Sequence, residues 1–204
     1  MRAEPKHPAN GAQTRLRKRP LPTGADQVRR AAWRFVWLVF FRPSPAPLHA
    51  WRCFLLRLFG AKIGPGAHPY PSARVWAPWN LEMAQDSCLA DGVDCYCVDR
   101  ISLGARAIVS QRAFLCSASH DHRTPDFPMV CGPIHIGADA WVAAEAFVGP
   151  GVVVAEGAVV AARAVVVRDV APYAVVAGNP VRVVGQRPSV SGRSDAGPDG
   201  DRRH

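Results

Sequence analysis

Every sixth residue from Ile136 to Val166 is isoleucine or valine: Ile136, Val142, Val148, Val154, Val160 and Val166. Four places after each stand Ala140, Ala146, Val152, Ala158, Ala164 and Val170, nearly all small, with Gly, Pro, Asp, Glu and Arg between them. A helix returns its apolar face every ~3.6 residues and a strand every second residue, so neither explains this period. It is the period of a parallel β-helix, in which each hexad gives one short strand and one turn. The aliphatic side chain points inward and meets its counterpart in the next coil at the ~4.8 Å strand spacing. The predicted fold is mainly β: a left-handed parallel β-helix of hexapeptide repeats over 61–187, with N-terminal helices and disordered tails.

The period recurs upstream in shorter pieces. Leu103, Val109 and Leu115 keep it, as do Met83, Leu89 and Cys95; Ile63, Val75 and Leu81 fit with Pro69 as a poor member. Leu115 and Ile136 are 21 residues apart, three more than a whole coil of three hexads. The chain therefore leaves the coil as a loop within 116–133, a polar, proline-rich stretch. Loops on a rigid scaffold are where function concentrates.

Outside the repeat, 1–24 and 188–204 read as disordered tails, rich in Pro, Gly and charge. Between them and the repeat lie helices in 25–60. One runs from Asp26 to Phe41 before Pro43, Pro45 and Pro47 stop it; the other runs from Leu48 to Phe59 and ends at Gly60. The apolar run Phe35 to Phe41 is far shorter than the ~20 residues that span a bilayer. Two readings fit these helices equally. They cover the end of the main domain, or 28–41 lies in a membrane interface with Trp33 and Trp37 at its boundary.

The net charge of +9 is concentrated in residues 1–34, which hold nine basic and two acidic residues. That is a solvated tail rather than a nucleic-acid surface. No secretory signal pattern opens the chain, so a cytoplasmic setting is expected, with contact at the inner face of the cytoplasmic membrane under the second reading. The six cysteines are then reduced core residues. Cys95-Tyr96-Cys97 lacks a second pair at zinc-finger spacing, and no metal is expected.

The loop carries Ser119-His120-Asp121-His122. Histidine is the side chain best suited to take a proton near neutral pH. Acyl transfer from a thioester to a sugar hydroxyl needs such a base and no metal. A purely structural His120, capping the loop by a hydrogen bond, fits the residues as well.

The stretches SQRAFLCSASHD, PIHIGADAWVAAEAFVGPGV and GAVVAARAVVVRDVAPYAVVAGNPVRVV resemble the hexapeptide-repeat O-acetyltransferases, within them the colanic acid biosynthesis acetyltransferase subgroup. RPSPAPLHAWRCFLLRLFGAKIG and PSARVWAPWNLEM extend the resemblance over roughly 28–187. It implies acetyl-CoA as co-substrate and a sugar or lipid-linked saccharide acceptor in exopolysaccharide synthesis, with His120 as general base. It places Trp141, Ala143 and Ala144 along the pantetheine arm, the Ala144 amide as oxyanion donor, Ala162 against the same arm, and Arg168 and Arg182 near the CoA phosphates. The family's Thr-Lys is Val167-Arg168 here, which removes a hydroxyl contact. Asp94 and Asp121 are the candidates for acceptor contacts. The resemblance further implies a homotrimer, with His120 facing the Trp141 groove of another chain. The alternatives are a γ-carbonic-anhydrase-like zinc site using His120, His122 and His135, and a β-helix without catalysis.

Overall fold

Inward side chains stack in three columns. Ile63, Met83, Leu103, Ile136, Val154 and Val170 stand in parallel register in the first. Pro69, Leu89, Val109, Val142, Val160 and Val176 form the second. Val75, Cys95, Leu115, Val148 and Val166 form the third. The computed structural model describes residues 15–19 and 23–188, and three parallel sheets enclose these columns in about six coils. The small residues Ala140, Ala146, Val152, Ala158 and Ala164 are also buried, at the corners where the interior narrows. Pro69 keeps its inward place because it lies on the first coil. His68 and Tyr70 donate to the second coil, so the N–H that proline lacks would have faced the open end.

The gaps between the pieces of the repeat have two causes. Twenty residues separate Ile63 from Met83 and Met83 from Leu103, against eighteen between Ile136 and Val154. The two extra residues lengthen one strand per coil, and Leu81, Ile101 and Ile134 stack inward as a short additional column. The second cause corrects the expected loop. Leu115 closes one coil and Ile136 opens the next, so the separation of 21 is the eight-residue step seen from Cys95 to Leu103 plus an insertion of thirteen, not a coil plus three. The insertion is a hairpin of two antiparallel strands, Ala118–His120 and Met129–Cys131.

A further correction concerns the N-terminal tail. Arg17–Lys18, expected to be disordered, pairs antiparallel with the outer edge of Met129–Cys131. Charge anchors this strap: Arg17 reaches Asp99 at 2.7 Å and Arg15 reaches Asp169 at 2.9 Å. The other parts of the expected tails, 1–14, 20–22 and 189–204, lie outside the described residues.

Helix α1 (Gly24–Val36) starts at a capping box between Thr23 and Asp26 and continues as a wider turn, Trp37–Phe41. Helix α2 is His49–Leu58. Gly60, at φ 92°, ends it in the left-handed region. The two helices solve a problem every β-helix has at its first coil, a row of strand carbonyls with no next strand. The indoles of Trp33 and Trp37 donate to Val75 at 2.6 Å and to Ala73 at 2.9 Å. Arg52, the Cys53 thiol and Arg57 donate to Pro69, Ala67 and Ile63. Trp33 and Trp37 therefore hold the coil, rather than sitting at a membrane boundary. No helix among the described residues is long and apolar enough to cross a membrane. At the far end Arg182–Gln186 folds back antiparallel on Ala174–Ala177, across Gly178 and a cis Asn179-Pro180 bond.

Candidate active site

His120 ends the first strand of the hairpin, opposite Met129. Its Nδ1 lies 3.0 Å from the carbonyl oxygen of Phe127. A carbonyl can only accept, so Nδ1 carries the proton and Nε2 is left as an exposed lone pair. The ring is also stacked on Phe127, with centroids 4.6 Å apart and planes 6° from parallel. Phe127 is shaped for this by a positive φ of 42° and by its N–H, which donates to the Thr124 carbonyl. Asp121 serves the loop: its amide donates to Pro128, and its carboxylate accepts the Arg123 amide at 3.0 Å.

The hairpin is braced at its base. Ser117 donates its hydroxyl to Tyr96 and accepts the Asp99 amide. Asp99 is buried; one carboxylate oxygen takes Arg17 and the Arg100 amide, and the other has no partner among the described residues. Val98, Ala118 and Cys131 pack there against Tyr96 and Met129.

Trp141 lies on a different sheet, between Ile108 and Val159 in register. Its Nε1–H donates to Ser110 Oγ at 2.9 Å, which fixes the indole plane while the side of the ring stays exposed. Ala143 is buried and its amide is used by the Val160 carbonyl at 2.8 Å. The next amide, Ala144, has no acceptor among the described residues, while its carbonyl takes Arg163. Ala162 sits exposed at the equivalent turn one coil on. Arg168 and Arg182 are exposed.

Asp94 faces outward from a third position, in register with Arg74 and Phe114. Burial pushes its carboxyl above the ordinary carboxylate value, with Arg74 at 3.7 Å pulling the other way. Beside it the rings of Trp76 and Tyr96 pack with centroids 5.1 Å apart and planes tilted by 59°. Within one chain no hydrogen bond or ring contact joins His120 to Trp141 or to Asp94. His135 is bonded through Nδ1 to Ser102. Among the described residues no three His, Cys, Asp or Glu side chains converge as a metal-holding group. All six cysteines are unpaired.

Sequence reasoning missed four contributors. Phe127 acts through a backbone carbonyl and Arg17 through a two-residue strand, neither of which leaves a periodic trace. Ser110 and Tyr96 occupy outward positions of the hexads, where almost any residue is tolerated; only their place beside inward Val109 and Cys95 could have marked them.

No family model matches the chain. It is 38% identical over 164 residues to WcaF of Escherichia coli (strain K12), named for a colanic acid biosynthesis acetyltransferase, covering 80% of this chain and 90% of that protein. Among solved structures it is similar to a hexapeptide-repeat acetyltransferase of Vibrio cholerae in complex with acetyl coenzyme A, with TM-score 0.72 and 21% identity over 85% of this chain and 96% of that one. A maltose O-acetyltransferase from Clostridium difficile matches with TM-score 0.68 and 19% identity over 82% and 90%. At these identities the two structures establish the fold alone.

Proposed function

The chain belongs to the hexapeptide-repeat acetyltransferases of the colanic acid biosynthesis type, and from that premise we propose that it transfers an acetyl group from acetyl-CoA to a sugar hydroxyl in surface-glycan synthesis, with His120 as general base. The observation that carries the reading is the bond from His120 Nδ1 to the Phe127 carbonyl, which leaves Nε2 able to receive a proton. As the sugar oxygen attacks the thioester carbon, its proton passes to Nε2. The carbonyl oxygen gains negative charge and is met by the Ala144 amide, which no acceptor among the described residues occupies. When the carbon–sulfur bond breaks, Nε2–H returns the proton to the departing thiolate.

The residues present suit such a co-substrate. Trp141, locked by Ser110, offers a flat apolar wall to the pantetheine arm, Ala162 leaves room beside it, and the exposed Arg168 and Arg182 meet the phosphates. Asp94, with the Trp76–Tyr96 pair beside it, is the acceptor contact in this reading, and Asp121 holds the loop from which His120 works. Because the hairpin and the Trp141 face are apart in one chain, the working site forms between subunits of a trimer. Residues 61–187 are the catalytic unit and 25–60 its cap, and the acceptor is a saccharide carried on a lipid at the cytoplasmic membrane.

The test is thiol release from acetyl-CoA with a panel of free sugars and lipid-linked saccharides. Release that depends on a hydroxyl acceptor, with the acetyl ester found on the sugar, supports the reading. Release only to amine acceptors, or none with any saccharide, overturns it.

A further inference from the structure

We infer that the outer faces of α1, its wide final turn and α2 form one docking surface for an anionic lipid bilayer. This deepens the lipid-linked-acceptor reading, on which it rests for its purpose. Each helix has an inner and an outer stripe. In α1 the inner one is Trp33, Trp37 and Phe41, which hold the coil; the outer one is Phe35, Leu38 and Val39, each about half exposed or more. In α2 the inner stripe is Arg52, Cys53, Leu55 and Leu56. Trp51, Phe54 and Leu58 recur at intervals of three and four on the outside, with Leu58 66% exposed. The core is already capped by the inner stripes, so among the described residues nothing covers these outer side chains.

The two outer stripes are joined. The Trp51 indole donates to the Phe40 carbonyl at 3.0 Å, and its ring stacks on Phe54. An apolar face of this extent on a protein surface marks a partner or a membrane.

Charge selects the occupant. Between Asp26 and Glu82 the sequence has no acidic residue at all, while Arg29, Arg30, Arg34, Arg42, Arg52, Arg57, Lys62 and Arg74 fall in that interval. Arg34, Arg42 and Arg57 are exposed on the same helices as the outer stripes, and none forms an ion pair among the described residues. A surface that is aromatic and aliphatic at its centre, flanked by arginines and drawn from a stretch, 27–81, that holds no carboxylate, matches the headgroup layer of an anionic bilayer. Neither helix is long enough to enter further, so the helices lie on the membrane rather than across it. The surface differs from the one expected from sequence: Trp33 and Trp37 are turned away, and half of it belongs to α2.

Co-sedimentation of the full chain with vesicles tests this. The expected result is binding to phosphatidylcholine vesicles containing phosphatidylglycerol, weak binding to phosphatidylcholine alone, and weakening with salt. Replacing Arg34→Gln and Arg42→Gln should lower partitioning about five-fold for each arginine. Phe54→Glu with Leu58→Glu should reduce it by about ten-fold or more. Because these side chains are exposed, circular dichroism and turnover on a soluble acceptor should be unchanged. Failure of the full chain to bind phosphatidylglycerol vesicles overturns the inference, as does equal binding by the variants. Loss of self-association in the Phe54 and Leu58 variant also overturns it, since a second copy would then be the occupant. Vesicle binding without saccharide acetylation would overturn the functional reading and leave this surface standing; acetylation without vesicle binding would do the reverse.

Discussion

His120 and Phe127 hold each other twice: the rings stack 4.6 Å apart, and Nδ1–H of one donates to the carbonyl of the other at 3.0 Å. The carbonyl fixes the tautomer and the ring fixes the direction of Nε2. An aromatic pair of this kind contributes about 0.5–1.5 kcal/mol. Phe127→Ala keeps the carbonyl and loses the stack, so kcat should fall about two- to ten-fold. The melting temperature should hardly move, because Phe127 is 53% exposed. Steady-state kinetics beside a thermal melt checks both halves.

Arg17 reaches across from the N-terminal strap to the buried Asp99 at the foot of the hairpin. The guanidinium itself is largely exposed, and solvent screening limits the pair to about 1 kcal/mol of stability. Its effect should be local. Arg17→Ala is expected to speed amide exchange at Val130 and Cys131 and to lower kcat, with little change in the global melt. Hydrogen exchange across the hairpin measures this, and Arg17→Lys should restore part of the protection.

Much of the fold can be read directly in the residues. The run Ile136 to Val166 announces the columns, and even Pro69 belongs where the period puts it. The loop length was ambiguous because 21 residues satisfy two arithmetics, and only strand partners decide between them. Trp33 and Trp37 were ambiguous for a chemical reason. An indole with its apolar body and single donor suits a membrane boundary and a coil end equally. At the site, His120 was visible as a loop histidine, but its tautomer depends on a backbone carbonyl, which no residue type encodes. The strap is not legible in the sequence, because two charged residues in extended conformation look the same as a solvated tail.

Arg52 is wholly buried with no carboxylate partner in hydrogen-bonding contact. It donates to Pro69 at 2.7 Å, to Ser44 and Pro45, and to Ala46. It thereby ties the proline-rich connection between the helices onto the first coil. Arg52→Met removes the donor shared by Pro69, Ser44, Pro45 and Ala46 and should cost about 1–3 kcal/mol. Arg52→Lys should recover little, since one ammonium cannot reproduce the planar fork. Denaturant unfolding of the three proteins tests the order.

His49 should make the cap sensitive to acid. Burial holds its pKa below the ordinary 6.5, the Pro69 carbonyl works against that, and the Arg52 guanidinium reinforces it. The unfolded chain then takes up the proton first as pH falls. Stability from this group is complete above about pH 6.5 and declines as pH drops below it. The melting temperature of wild type should fall more than that of His49→Gln between pH 7.5 and pH 5.5, values chosen to be about one unit either side of the unfolded histidine.

The most direct measurement of the whole account is acetyl transfer to a saccharide hydroxyl by wild type and by His120→Ala, at matched concentrations of protein shown to be folded. The expected result is a loss of kcat of about 10²-fold or more in the variant. Affinity for acetyl-CoA should be preserved, since Trp141 and Ala144 lie on a separate sheet and turn. Equal turnover by the two proteins would contradict it and remove His120 from the chemistry.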